Sequence, residues 1–331
     1  MTAEAKASWR FAAVVSSLAI AFALAVPQYL RRYVIPPRSV VAIYCSFVLL
    51  LVFIVAPAIS VSGQWITTRL AGRERQVALL PVWCLPYLIY AAGTGDFQWN
   101  ALLRLLLLAT VVVFIYVLFP VTDVYKFGWQ DAAAAAWLMS AVLFHQLRGV
   151  WNVPTNLDFM MRLFVITVGA WTWIFIRPVP RLGYEISISH RVLKAATFNF
   201  ACFAVIAIPA SLAMHFTAWN PRWPGTAMFW LNFLEVFVFV AWLEELFFRG
   251  FLQNLLSNSL GYAWRGHLIA SVLFGFSHIF HAPVPNWRYV ALASVAGWFY
   301  GAAFRSGGNL IASSITHALV DTAWRTWFSR L

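Results

Sequence analysis

Three short runs late in the chain place acids and imidazoles inside otherwise apolar sequence: Glu244-Glu245-Leu246-Phe247-Phe248-Arg249, Phe274-Gly275-Phe276-Ser277-His278 and His317-Ala318-Leu319-Val320-Asp321. Ionisable side chains are costly in hydrocarbon, so by default they mark function there. Each run falls in a different apolar segment, and the fold must either gather them or leave three separate defects in a bilayer. Gathered, a carboxylate, two imidazoles and a second acid suit hydrolysis by an activated water. One group removes the proton while others hold the oxyanion that develops on a scissile carbonyl.

Spacing divides the labour. Residues four apart share a helix face, so Glu245 and Arg249 form a natural intrahelical ion pair. Glu244 is turned about 100° away and left for chemistry. Phe274 and His278 share a face in the same way, as do His317 and Asp321. Glu235 points away from Glu244 and reads as a separate structural contact. Ser277 and Ser314 flank the histidines, but in continuous helix they lack the strained turn that presents a serine nucleophile. Glu244, His278 and His317 each lie ~12 to 18 Å from a segment end. One complete helix separates the last two, so all three can meet at one depth.

The elements that must position these groups are membrane helices. Of 331 residues, 62% are hydrophobic, 18% aromatic and only 10% charged, and the mean hydropathy is +0.77; no soluble domain has this balance. Apolar runs near Phe11–Tyr29, Val40–Val61, Val77–Ala92, Ala101–Val121, Ala132–Leu147, Phe159–Ile176, Phe198–Phe216, Thr226–Leu256, Leu268–Phe280, Val290–Phe304 and Leu310–Phe328 predict an all-α, polytopic transmembrane bundle of about eleven helices. The fifth and ninth runs are short for a full span. The first has no convincing cleavage site and is expected to stay as a helix.

The net charge of +12 is spread over short connections, so it reports topology rather than nucleic-acid binding. Arg69, Arg73 and Arg75, with Arg177, Arg181, Arg191 and Lys194, favour one side, while Arg31, Arg32 and Arg38 favour the other. Trp65, Trp99, Trp129, Trp219, Trp223, Trp287 and Trp327 sit near segment ends and suit an interfacial belt. Cys45, Cys84 and Cys202 read as inert core thiols. The polar connection from Arg177 to Lys194 divides the chain into residues 1–190, about six helices of accessory or substrate-access character, and residues 191–331, which hold all three runs.

In order and spacing the three runs resemble the CAAX protease and bacteriocin-processing family of glutamic intramembrane proteases, which includes the type II CAAX prenyl endopeptidases. That family's motifs are a double Glu followed after three residues by Arg, a Phe three residues before a His, and a His three residues before Asn or Asp. The resemblance covers about Gly225 to Phe328 and implies that residues 191–331 are a protease core. It implies that Glu244 is the general base, working with His278 on the attacking water, and that His317 and Asp321 bind the oxyanion or substrate carbonyl. Glu245, Arg249 and Phe274 would support them. Asp321 stands where eukaryotic relatives have Asn. An ionised Asp cannot donate to an oxyanion, so it must be protonated or must orient His317.

The resemblance further implies an endopeptidase without a cofactor, held in the inner membrane of a prokaryote. Its partners would be the bilayer and a membrane-embedded or lipidated protein or peptide, not nucleic acid. Two alternatives stay open. Two His with a Glu or Asp could ligate zinc, as in membrane metalloproteases, although the chain lacks His-Glu-x-x-His. Buried acids could instead serve a non-catalytic transporter or immunity protein.

Overall fold

A computed structural model describes residues 35–59, 72–152 and 157–330, with isolated positions in 13–20 and 66–69. Helices dominate, as the apolar runs require, and six among the described residues are long and apolar enough to cross a membrane: Pro37–Ala58, Arg73–Thr94, Trp99–Leu118, Phe159–Ile176, His190–Ala213 and Thr226–Ser259. The chain is an integral membrane protein of the polytopic helical class. Ten of the eleven apolar runs coincide with helices here; the first, Phe11–Tyr29, lies largely outside the described residues, as do Arg31, Arg32 and Trp65. The two short runs form helices of 15 and 14 residues, Trp129–Leu143 and Ala263–Phe276. At 1.5 Å per residue these reach about 21 to 23 Å, short of the roughly 30 Å hydrocarbon core.

The chain forms two compact units, one of Met1–Thr122 with Gly128–Pro178 and one of Asp123–Phe127 with Val179–Leu331. In the first, Pro37 opens a helix at a position where its missing N–H is not needed. That helix packs so closely on Leu85–Thr94 that a Cβ at Gly93 would run into Ala42. The same unit buries an ion pair that the sequence did not reveal. Asp131, in the first turn of Trp129–Leu143, meets Arg177 through Nε at 2.9 Å and Nη2 at 3.0 Å. Both side chains are fully buried. Tyr116 Oη donates to Asp131 Oδ1 at 3.0 Å, and Gly128 N–H to Oδ2 at 2.9 Å. A buried charge is tolerated only when paired and hydrogen-bonded, and this carboxylate is both. The thiols differ from the expectation of three core cysteines: Cys84 is buried, but Cys45 is exposed and Cys202 half-buried, because their helices turn those faces outward.

In the second unit, His190–Ala213 packs against Trp287–Gly307 and Leu310–Trp327. Ser189 caps it by accepting from Val192 N–H at 3.3 Å. Gly308 ends Trp287–Gly307 in the left-handed region, with φ of +85°, and donates to Phe304 O at 2.8 Å. Asn309 follows at once and caps the last helix by accepting from Ala312 N–H at 3.2 Å. Two residues thus turn the chain from one site helix to the next. A short antiparallel ribbon, Thr217–Trp219 with Phe328–Arg330, ties the end of the chain back to the connection before Thr226.

The segment Thr226–Ser259 is a single rod with two interruptions of register. Its α-helical parts, Thr226–Val236, Trp242–Glu245 and Asn254–Ser259, are separated by π-helical turns at Phe237–Ala241 and Leu246–Gln253. Turns of this kind recur at functional sites because they re-aim side chains. Glu244 and Glu245 occupy the short α-helical piece between them.

Candidate functional site

The three runs converge within the second unit. Glu245 accepts from Arg249 Nε at 3.0 Å through Oε2, and from His317 Nδ1 at 3.0 Å through Oε1. Both members of the Glu245–Arg249 pair are fully buried. The expected intrahelical pair is present, and Glu245 does more than neutralise an arginine: it is the acceptor that holds an imidazole. Because a carboxylate accepts, Nδ1 of His317 carries the proton, and Nε2 is turned to the remaining acids. Glu244 Oε2 lies 3.9 Å from that nitrogen and Asp321 Oδ2 3.8 Å.

Burial separates the two adjacent glutamates. The Glu245 side chain is 0% exposed, whereas those of Glu244 and Asp321 are 30% and 35% exposed. His317, at 3%, stands between the sealed group and the two accessible ones. Asp321 sits one turn beyond His317 on Leu310–Trp327, as their spacing requires.

His278 is placed differently from the sequence expectation. The helix Ala263–Phe276 has ended before it, so Ser277 and His278 lie in the following turn and not in continuous helix. Phe274 O accepts from both Ser277 Oγ at 2.7 Å and His278 Nδ1 at 2.9 Å. With Nδ1 donating, Nε2 is the ring nitrogen able to take a proton in the neutral imidazole. The ring packs on Phe274 at 5.0 Å and on Tyr289 at 4.6 Å. Phe274 also stands edge-on to His317, with centroids 5.7 Å apart and planes at 90°. One phenylalanine therefore touches both imidazoles, which gives the Phe of the second run a physical task.

Arg249 is enclosed by rings. Its Cζ lies 5.2 Å from the Phe274 centroid and 5.9 Å from those of Phe248 and Tyr300. Glu235, read as a separate contact, pairs with Arg325 at 3.5 Å on a half-exposed surface. Ser314 is buried in the last helix. Among the described residues no group of three or more His, Cys, Asp or Glu side chains converges with metal-ligand geometry.

Sequence reasoning missed several polar and aromatic residues around the cluster. Tyr300 stacks on His317. Gln253 donates to Gly301 O at 3.2 Å, and His267 Nε2–H to Trp298 O at 2.8 Å. The readable signal was Gly297-Trp298-Phe299-Tyr300-Gly301, a pair of glycines spaced for close helix approach.

Fold and site together define a helical integral membrane protein with an acid–imidazole cluster enclosed by its last helices. Residues 226–323 match the family model described as Type II CAAX prenyl endopeptidase Rce1-like, so this segment of the chain is similar to that peptidase family. The match includes all seven residues of the three runs named above as catalytic or supporting. Comparison with curated proteins and with solved structures yields no match.

Proposed function

We propose that the protein is a glutamic-type intramembrane endopeptidase that cleaves a membrane-embedded or lipidated protein or peptide with an activated water. The observation that carries this reading is the arrangement around His317: one nitrogen is locked by the sealed Glu245, and the other is turned to the accessible Glu244 and Asp321. Glu244 is the general base. It takes a proton from water, the hydroxyl oxygen bonds to the scissile carbonyl carbon, and the C–N bond breaks as the amine receives that proton. His278 assists through Nε2, since its Nδ1 is committed to Phe274 O. When both nitrogens of His317 are protonated, Nδ1 donates to Glu245 and Nε2 to the oxyanion. Asp321 in its acid form adds a second donor; ionised, it orients His317 instead.

The reaction needs no cofactor in this reading. Residues 191–331 carry the chemistry, and residues 1–190 serve as an accessory region that brings substrate from the bilayer. Support for a membrane-borne substrate is the apolar character of the whole chain together with the similarity of its last segment to the prenyl endopeptidase family.

The test compares the amino and carboxyl termini of membrane peptides in cells carrying the wild-type chain or Glu244→Gln at equal expression. Termini present only with the wild type support the peptidase and name its substrate. Identical termini, with altered uptake or binding, would replace the peptidase by a transporter or immunity protein. A chelator arm separates the zinc alternative: cleavage by the purified protein that survives metal removal supports the water-and-glutamate mechanism, and cleavage restored only by zinc overturns it.

A further inference from the structure

Tyr300 belongs to none of the three runs, yet it touches both partners of Glu245. Its ring lies nearly parallel to the His317 imidazole, with centroids 4.5 Å apart and planes at 15°. The Arg249 guanidinium carbon is 5.9 Å from the same ring, and Phe274 stands edge-on to it at 5.6 Å. Tyr300 is 1% exposed.

A hydrogen bond at Nδ1 fixes one point of an imidazole but not its plane. Rotation about the terminal torsion of histidine is broad, so the ring can still swing Nε2 away from its partners. A second constraint must act on the face of the ring, and the parallel Tyr300 supplies it. The backbone is shaped for this contact. A Cβ at Gly297 would lie 3.0 Å from Ser271 O and 3.2 Å from Phe274, and one at Gly301 would run into Gln253 and His267. Glycine at both positions lets Trp287–Gly307 approach its neighbours closely enough to bring Tyr300 over His317.

We infer that Tyr300 is a positioning residue for peptide hydrolysis, its ring face holding the plane of His317 so that Nε2 stays directed at the side of Glu244 and Asp321. The inference rests on the reading of His317 as the oxyanion-binding group. It assigns the work to the ring and not to the phenol hydroxyl, because the contact that is seen is face to face.

The test uses the full chain in lipid nanodiscs with histidines labelled at Cε1. The His317 resonance is identified by its loss in His317→Gln. Stacked on a ring, that resonance is displaced upfield in the wild type and in Tyr300→Phe, and it returns downfield in Tyr300→Leu. In the same nanodiscs, an internally quenched farnesylated peptide ending in Cys-aliphatic-aliphatic-X reports cleavage. Tyr300→Phe is expected within about threefold of wild type, while Tyr300→Leu loses roughly tenfold to a hundredfold in kcat with KM little changed.

Wild-type cleavage by Tyr300→Leu, with His317→Gln inactive, overturns the inference. Wild-type cleavage by His317→Gln overturns the reading of the site instead. Should the wild type leave the peptide uncut, that substrate class falls, and the resonance still decides whether Tyr300 holds the imidazole. If Tyr300→Leu fails to fold, Tyr300→His, with a smaller planar ring, takes its place: a weakened upfield displacement supports the inference and an unchanged one refutes it.

Discussion

Glu245 and Arg249 lie four residues apart, both fully buried, with Nε and Oε2 separated by 3.0 Å. Arg249→Met removes one charge and leaves the buried Glu245 carboxylate without its cationic partner, still accepting from His317 Nδ1. Breaking a buried pair from one side costs about 3 to 5 kcal/mol. Glu245→Met should cost at least as much. Among the described residues neither Nη of Arg249 has a hydrogen-bond partner, and the surrounding rings contribute only about 0.5 to 2 kcal/mol of cation–π attraction. In the double variant no charge of the pair is buried, and stability should recover most of the loss, because apolar replacement of a whole buried pair is often neutral or better. Activity should not recover with it. His317 has lost the acceptor that orients it, and kcat should stay roughly tenfold to a hundredfold down. Unfolding of the four proteins by sodium dodecyl sulfate in mixed micelles, followed by tryptophan fluorescence, gives the coupling energy, and cleavage of the farnesylated peptide gives kcat. A double variant as unstable as the sum of its singles would refute the buried pair. A stable double variant with wild-type turnover would refute the role of Glu245 in holding His317.

Further outcomes follow from the same geometry. Arg177→Met should lower stability by about 3 to 5 kcal/mol, because the sealed Asp131 carboxylate loses two contacts at 2.9 and 3.0 Å; Arg177→Met with Asp131→Leu should restore most of it in the same unfolding assay. Gly301→Ala forces a methyl against Gln253 and the His267 ring, and the expected cost is about 1 to 3 kcal/mol, with turnover lowered as Tyr300 is displaced; an unchanged unfolding midpoint would mean the helices are not so closely packed. Asp321→Asn should retain cleavage within about tenfold, since the amide supplies a donor in place of the acid, whereas Asp321→Ala should be far weaker. Equal rates for the two would remove Asp321 from the oxyanion-binding set.

The helical membrane class was legible because runs of about twenty apolar residues have few other solutions. The second half of the site was legible for a similar reason. Four-residue spacing dictates that His317 meets Asp321 and that Glu245 meets Arg249, whatever surrounds them. Three features were not. Asp131 and Arg177 are 46 positions apart in sequence, and no local periodicity links residues that meet only through tertiary packing. The end of the helix at Phe276 was hidden because Ile279 and Phe280 carry the apolar run past Ser277 and His278 without a glycine or proline to mark the stop. Hydropathy records which residues are oily and not where the hydrogen-bond ladder stops. Tyr300 sat between two glycines whose spacing announced a close approach, but not which ring would face inward.

The π-helical turns bear most directly on how one rod serves two purposes. On a regular helix of 3.6 residues per turn, each four-residue step drifts about 40° around the axis. Glu245, Arg249 and Gln253 would then fan out by about 80° over two steps. The wider turn at Leu246–Gln253 counteracts that drift. Glu245 reaches His317, Arg249 lies among Phe274 and Tyr300, and Gln253 meets Gly301, each buried against the following site helices. This line of contacts fixes the rotation of the rod. Glu244, one residue earlier and off that line, is thereby held at the accessible side of His317 without itself being sealed. Adjacent glutamates acquire different surroundings from their position relative to the π-helical turn: the buried one anchors the imidazole, and the other stays on its accessible side.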